Sequence, residues 1–209
     1  MNVLVLGAAG KTGSAVVEQA AAAGHQVTAF VRQAAGYRDP AGVTVKQGDA
    51  TDADAVADAV AGQDAVIDTI GGRTPYKSNL TLEVDVARTV IAAMQRNGVR
   101  RLLVTSSVGV GDSVANATPV LRVLLKTFLR GSTADKAAME EQVQDSGLDW
   151  TITRPAVLKN RPATGDVRVF DPATGEKARA IGRADLAAWL VADLDRKDHE
   201  RRVVTLATG

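Results

Sequence analysis

Short apolar runs alternate with alanine-rich segments along the whole chain. Each run is rich in valine, leucine or isoleucine and bounded by polar or glycine residues, a pattern typical of buried strands. In the segments between them apolar residues recur every three or four positions, and a glycine follows four of these segments, as expected at helix C-termini. The predicted strands are residues 3–6, 26–31, 43–47, 65–68, 101–105, 150–153 and 202–206, and the predicted helices are residues 12–23, 52–60, 80–97, 133–146 and 183–194.

This alternation predicts a parallel sheet with helices on both faces. We therefore expect an α/β fold with a doubly wound parallel sheet in three α/β/α layers, the Rossmann fold, as a single domain over residues 1–209. The stretch 160–177 is the least regular and contains several prolines and glycines around a short predicted strand, 167–170. It is either a surface connection or, with the rest of residues 155–182, a wall on the substrate side of the site.

Composition narrows the function classes. With 209 residues, 45% hydrophobic residues and a formal net charge of +1, the chain can bury one core and lacks the basic excess of a nucleic-acid-binding protein. The absence of cysteine excludes thiolate chemistry, and 2 isolated histidines, read as solvated turn residues, predict neither a metal site nor a catalytic triad. No apolar run approaches membrane-spanning length and the chain opens on a strand, so we expect a cytoplasmic protein.

A glycine-rich turn after the first predicted strand is the strongest motif, with Gly7, Gly10 and Gly13 at regular spacing before a predicted helix. In dinucleotide-binding folds such glycines make a tight turn, let the backbone approach the diphosphate, and bring helix and strand together. The competing nucleoside-triphosphate loop requires a glycine where Val5 stands. A purely structural turn is the other alternative. The predicted diphosphate-binding residues are Gly7, Ala9, Gly10, Lys11, Thr12 and Gly13.

Arg32 directly follows the second predicted strand. At this place an NAD-preferring fold usually has an acid that binds the ribose 2′-hydroxyl, so an arginine favours the 2′-phosphate of NADP. A charge-assisted hydrogen bond contributes about 1.5–3 kcal/mol, which corresponds to a roughly ten- to hundredfold preference. Lys11 and Arg38 are further candidates for this basic pocket, although Arg38 is better explained as a solvated surface charge.

The remaining candidate residues also follow predicted strands, where ligands of open α/β sheets bind. Together with the glycine loop and Arg32, their motifs resemble those of atypical short-chain dehydrogenases/reductases, and within that family the flavin reductase/biliverdin-IXβ reductase and NmrA-like groups. The resemblance covers most of the chain and is specific up to about residue 155. Its motifs beyond the loop are Val31, Arg32, Gly48, Asp49, residues 62–67, Thr105, Ser106, Ser107, residues 146–151, Arg154 and Pro155.

This resemblance implies a role for each strand end. Asp49 and Ala50 would flank the adenine, and Thr69 and Gly71 to Arg73 would line the path of the ribose and diphosphate. Ser107 would be the active-site serine, with Thr105 and Ser106 beside it as coenzyme-binding residues. Pro155 and Ala156 would pass close to the nicotinamide.

One position departs from the family pattern. Many short-chain dehydrogenases place a tyrosine four residues before an active-site lysine, which lowers the pKa of the phenol. Here Lys136 has Ser132 at that place, and the tyrosines are Tyr37 and Tyr76. The sequence therefore argues against alcohol oxidation or sugar epimerisation by that route. Lys136 keeps a predicted catalytic and coenzyme-binding role at the nicotinamide ribose, and Glu140, one helical turn later, is expected to pair with it.

Hydride transfer from NADPH to a flavin-, quinone- or tetrapyrrole-like acceptor needs no strong protein acid, because the electron-poor ring accepts the hydride and solvent supplies the proton. We predict such a reductase, with a conjugated-ring small molecule as substrate and neither nucleic acid nor membrane as partner. The alternative is a non-catalytic, NmrA-like NAD(P) sensor. An apolar helix at 119–129 is typical of core packing, but it could also cover the pocket or join two subunits, so monomer and homodimer both stay open. The candidate ring-binding residues are Val108, Val110, Val157 and Tyr76.

Overall fold

The computed structural model describes residues 1–38, 40–71, 81–127 and 129–208, which form a mostly parallel sheet covered by helices. Among these residues the main sheet has eight strands in the order β3-β2-β1-β4-β5-β6-β10-β8, and β8 alone is antiparallel to its neighbour. A second, two-stranded parallel sheet joins β7 and β9. The strands are β1 (Asn2–Leu6), β2 (Gln26–Val31), β3 (Thr44–Gln47), β4 (Ala65–Asp68), β5 (Arg101–Thr105), β6 (Asp149–Pro155), β7 (Val157–Lys159), β8 (Val167–Phe170), β9 (Ala180–Gly182) and β10 (Arg202–Thr208).

Helices cover both faces of the main sheet, because its strands are buried on both sides. Alternate residues of β1 point to opposite faces: Val3 and Val5 pack in the cluster with α1 and α6, and Leu4 and Leu6 in the cluster with α2, α3 and α5. None of the helices in the described ranges is long and apolar enough to cross a bilayer. The helices are α1 (Lys11–Ala22), α2 (Ala53–Val60), α3 (Leu82–Asn97), α4 (Pro119–Lys126), α5 (Arg130–Asp145) and α6 (Arg183–Arg196).

The observed architecture confirms the predicted doubly wound, three-layer Rossmann fold. The predicted strand at 167–170 is β8, which runs antiparallel along β10 at the end of the sheet. The short strands β7 and β9 were not predicted, and the predicted helix at 133–146 begins instead at Arg130. The predicted apolar helix at 119–129 is shorter, because Thr127 leaves the helical conformation with φ −113° and ψ −90°.

Strand order reverses at β1, which lies between β2 and β4. The carboxyl ends of the parallel strands therefore open a crevice at this switch point, which is where ligands bind in doubly wound folds. Along this edge Leu6 lies level with Phe30 and Asp68, and Thr105 lies level with Thr153. Most of the predicted site residues that the structure describes lie at or just after one of these strand ends, or on helices α1 and α5 beside them.

Candidate functional site

The glycine loop between β1 and α1 is shaped by two positions at which a side chain has no room. Gly7 has a φ of +74°, a conformation that residues with a β-carbon rarely adopt. A β-carbon on Gly13 would lie 2.1 Å from the Gly7 carbonyl oxygen, so α1 crosses the loop at backbone contact. The Gly10 amide donates to the Gly7 carbonyl at 2.8 Å and closes the turn.

The N-terminus of α1 opens toward the crevice with its backbone donors available. Gly10 occupies the N-cap position, no side chain in the described residues caps this end, and the first turn contains no acidic residue. The first amides of a helix have no partner within the helix, and the helix dipole makes this end attractive to anions. The turn thus has the chemistry of a diphosphate site, with the exposed Lys11 at its rim.

Thr69 supports the glycine loop from below. Its hydroxyl donates to the Leu6 carbonyl at 2.8 Å, and its backbone amide donates to the same oxygen at 3.2 Å. The hydroxyl oxygen also limits the space above it, since a β-carbon on Gly13 would lie 2.8 Å away. Apart from its chain neighbours, no described residue lies within 4 Å of a β-carbon placed on Gly71, which is compatible with backbone approach by a ligand. The predicted residues Arg73 and Tyr76 lie outside the described residues.

At the other end of the crevice, Arg32 and Asp49 stand where β2 and β3 terminate. Arg32 is exposed and forms no ion pair within the described residues. Hydrogen bonds from the Thr51 amide and hydroxyl, at 2.9 and 2.8 Å, lower the pKa of Asp49, and the positive charge of Arg32 adds a smaller contribution. Ala50 follows directly, and Arg38 is exposed, as expected for a surface charge. A free guanidinium therefore lies beside a firmly ionised carboxylate.

The end of β5 brings buried hydroxyl groups to the crevice. Ser106 and Thr105 are 4% and 9% exposed, and neither side-chain oxygen has a hydrogen-bond partner within the described residues. Buried polar atoms in native proteins are nearly always paired, so these oxygens mark a place for a polar ligand or water. Ser107 is half-buried, and the Ser113 hydroxyl shapes the loop after it by accepting from the Gly109 amide at 2.9 Å.

Lys136 reaches this region from α5, but its partner differs from the predicted one. Its ammonium lies 2.5 Å from a carboxylate oxygen of Glu83, and the two side chains are 13% and 3% exposed. The expected pairing with Glu140 is therefore wrong. Asp135, adjacent to Lys136, accepts from the Glu83 and Val84 amides at 3.0 Å each and so caps the start of α3.

Asp68, the last residue of β4, lies in the electrostatic neighbourhood of the same ion pair. One of its oxygens accepts from the Ile70 amide at 2.8 Å. Burial raises the pKa of Asp68 to about 7, the Ile70 hydrogen bond opposes that rise, and the charges of Glu83 and Lys136 act in opposite directions. This carboxyl group therefore exchanges its proton near neutral pH.

Glu140 pairs with Arg154 instead. The guanidinium donates from Nη2 to Oε2 of Glu140 at 2.7 Å, and it also pairs with Asp112. These contacts tie α5 and the turn after β5 to β6, and they fix the chain that continues into Pro155 and Ala156. The Pro155 carbonyl then accepts from the Val108 amide at 3.0 Å. Arg154 is thus an internal brace of the site wall.

The apolar candidates separate by exposure. Val108 and Val110 are 4% and 2% exposed, so both are core residues, whereas Val157 is 44% exposed.

The histidines are not simple solvated residues: His25 is 8% exposed, and Nδ1 of His199 lies 2.7 Å from Asp193. Both lie toward the amino ends of the strands, away from the crevice. His25 immediately precedes β2, and Asp193 also binds Arg101, the first residue of β5.

Residues 7–197 match the NAD(P)H-binding protein family. The chain belongs to this family. It is 32% identical over 156 residues to YhfK of Bacillus subtilis, named an uncharacterised sugar epimerase, across 74% of this chain and 67% of YhfK. ChuY from Escherichia coli, named an anaerobilin reductase, superposes with a TM-score of 0.80 at 27% identity, covering 100% of this chain and 97% of ChuY. A short-chain dehydrogenase/reductase from Veillonella parvula, solved with NADP, shares the fold with a TM-score of 0.82 at 18% identity, covering 99% and 94%.

Family membership confirms the resemblance to atypical short-chain dehydrogenases/reductases and places the chain among NAD(P)H-dependent oxidoreductases. A nicotinamide coenzyme is therefore the ligand class of this protein. Sequence reasoning missed three groups of this NAD(P)H-binding protein: Asp68, Glu83 and the Arg154 brace. For Asp68 the visible signal was an acidic residue at the end of a buried apolar strand. The pairing of Glu83 with Lys136 left no local signal, because it joins residues 53 positions apart.

Proposed function

We propose that the protein is an NADPH-dependent reductase that transfers hydride to a flavin-, quinone- or tetrapyrrole-like acceptor. The proposal rests on one observation: the two ends of the crevice offer different chemical groups. A free arginine, Arg32, lies at one end, and unpartnered buried hydroxyls of Thr105 and Ser106 lie at the other. The open N-terminus of α1 lies between them, as an extended dinucleotide requires.

The residues present fit this coenzyme. The amides around Gly7, Ala9, Gly10, Thr12 and Gly13 would hold the diphosphate, with Lys11 at its rim. Arg32 would bind the 2′-phosphate, Asp49 and Ala50 the adenine side, and Thr69 and Gly71 the path between. The nicotinamide half would lie near Thr105, Ser106, Ser107, Lys136, Pro155 and Ala156. When bound, the reduced coenzyme would supply the hydride.

The acceptor side is built on residues 155–182, which we place in the same single domain as the coenzyme site. Val108, next to Ser107, packs in one small cluster with Ala156, Phe170 and Ala178. The loop after β5 is therefore seated on this segment, and Val157 presents exposed apolar surface beside it. The ChuY relative supports a conjugated acceptor, since its name assigns it a reductase activity on a tetrapyrrole product. Tyrosine-dependent epimerisation is disfavoured, because Ser132 stands one turn before Lys136.

The direct test is NADPH oxidation with FMN, riboflavin, several quinones and biliverdin, each repeated with NADH. We expect turnover with at least one conjugated acceptor and a preference for NADPH. For the variant Arg32→Ala, which tests the preference for NADPH, the matched control is Arg38→Ala, because it removes another exposed arginine of the same region. Turnover with none of these acceptors, despite saturable NADPH binding, would contradict the reductase.

A second function is favoured by one observation: the Lys136 ammonium is already engaged by Glu83. A lysine held in a buried ion pair suits coenzyme binding without proton chemistry, as in an NmrA-like sensor. Tight NADP⁺ binding without turnover, together with a protein partner that binds only the coenzyme-loaded form, would favour the sensor.

A further inference from the structure

Coenzyme binding alone does not explain the three acidic residues, Asp68, Glu83 and Asp135, that lie with Lys136 where β4 ends and α3 begins. Glu83 holds Lys136 at 2.5 Å, and Asp135 accepts two backbone amides of α3. The carboxylates of Glu83 and Asp135 are therefore already occupied by these contacts. Asp68 differs, because the described contact of its side chain is the neutral Ile70 amide and the group is 5% exposed.

The position of this cluster is fixed by the sheet. Asp68 lies level with Val104 in the β4–β5 register, and side chains of a strand alternate between faces. Ser106, two residues beyond Val104, continues on the same face, since its amide still donates to the Thr153 carbonyl at 2.7 Å. Its buried, unpartnered hydroxyl therefore points to the side on which α3 and α5 carry Glu83 and Lys136.

This is the nicotinamide end of the crevice if the proposed function holds, because Arg32 and Asp49 mark the opposite end at β2 and β3. The oxidised nicotinamide ring has one positive charge and the reduced ring has none. Among the residues that the structure describes, the charges that act on Asp68 are Glu83 from α3 and Lys136 from α5, with Asp135 next to Lys136 in the chain, whereas the flanking strands contribute the apolar Leu6 and Val104. One proton on Asp68 thus changes the net charge beside the ring by one.

We propose that Asp68 adjusts the charge at this end of the site to the redox state of the coenzyme. Asp68 ionises when the oxidised ring is bound and stays protonated when the reduced ring is bound. Glu83 acts as the positioning residue for Lys136. The inference rests on the proposed function. It follows that oxidised coenzyme binding releases a proton and reduced coenzyme binding does not. By the reciprocity of linkage, affinity for NADP⁺ rises with pH and affinity for NADPH does not.

The experiment measures dissociation constants of NADP⁺ and NADPH at pH 6 and pH 8, together with proton release on binding by calorimetry in two buffers of different ionisation heat. The ratio of the two affinities is used because the 2′-phosphate is common to both coenzymes. We expect the affinity for NADP⁺ to rise and that for NADPH to fall, which shifts the ratio toward NADP⁺ by at least tenfold between these pH values, with proton release on NADP⁺ binding only. In Asp68→Asn both the shift and the proton release should disappear.

Two further variants separate the roles. Glu83→Gln frees Lys136, so both coenzymes should bind more weakly while the pH dependence of the ratio persists. Asp85→Asn, on the same helix but paired with the exposed Arg88, should leave both quantities unchanged. A wild-type ratio that is independent of pH, or equal proton release with both coenzymes, would overturn the inference and leave the reductase standing. No binding of either coenzyme at any pH would instead refute the proposed function.

Discussion

Replacing Asp68 by asparagine should change how the stability of the free protein depends on pH. The folded protein holds the Asp68 proton up to a pKa of about 7, whereas an unfolded chain loses it near the usual value of 3.8. Because the folded pKa is raised, the native state binds more protons between these values. The contribution of Asp68 to the free energy of unfolding must therefore fall as the pH rises from about 4 to 7, and level off above.

The magnitude follows from the size of this interval. Each pH unit in which only the folded state holds the proton costs about 1.4 kcal/mol, so the two units from pH 5 to pH 7 cost about 3 kcal/mol. Asp68→Asn keeps an oxygen for the Ile70 amide and cannot ionise. The variant should lack this loss, and its stability relative to the wild type should rise by about 3 kcal/mol between pH 5 and pH 8.

Urea unfolding followed by the fluorescence of Trp150 and Trp189 at pH 5 and pH 8 measures this difference. Asp149→Asn is the control. The Arg100 guanidinium lowers the pKa of Asp149, so that carboxylate is ionised in both states at both pH values. Its removal should alter stability equally at pH 5 and pH 8. Wild-type and Asp68→Asn stabilities that run parallel across this range would refute an unusual titration of Asp68.

Three other substitutions test separate parts of the site. Gly13→Ala should weaken coenzyme binding and cost about 1–3 kcal/mol in urea unfolding, because its β-carbon overlaps the Gly7 carbonyl. A β-carbon on Gly10 would lie 3.1 Å from the same oxygen, so the reasoning fails if Gly10→Ala destabilises the protein equally. Arg32→Ala should weaken NADPH binding roughly ten- to hundredfold in a fluorescence titration and leave NADH nearly unchanged, and equal losses would place the 2′-phosphate elsewhere. Glu140→Ala should cost about 3 kcal/mol of stability by leaving Arg154 with Asp112 alone, and a normal denaturation midpoint would contradict the brace.

Local signals in the sequence were sufficient for the main architecture. Strands such as β1 and β2 are continuous apolar runs because both sheet faces are covered, and their partners are set by the right-handed crossovers of a doubly wound fold. The strands β7 and β9 escaped prediction for a physical reason. Each has three residues, and their pairing, which joins Val157 to Ala180, exists only once the intervening chain has folded.

The residues of the candidate site also divide into those with a local sequence signal and those whose contacts form only in the folded chain. Gly7 and Gly13 could be identified as turn glycines because both act within the turn that directly follows β1. Arg32, which directly follows β2, stays a predicted ligand of the 2′-phosphate. Lys136 was placed in the right helix, but the partner suggested by helical spacing was wrong. Residues one turn apart on a helix share a face, but their side chains pair only when no other partner competes, and here Arg154 from β6 pairs with Glu140.

These two ion pairs lie one turn apart on α5, yet they differ in what they can do. Arg154 has two carboxylate partners and is 7% exposed, so its position is fixed by three elements at once. Lys136 has Glu83 and retains a partly accessible side chain at the crevice. Ser132 provides no phenol to share its charge, and an unpaired ammonium so little exposed would be costly. Glu83 thus neutralises the charge of the Lys136 ammonium, and the nearby group whose pKa burial raises to about 7 is Asp68 at the end of β4.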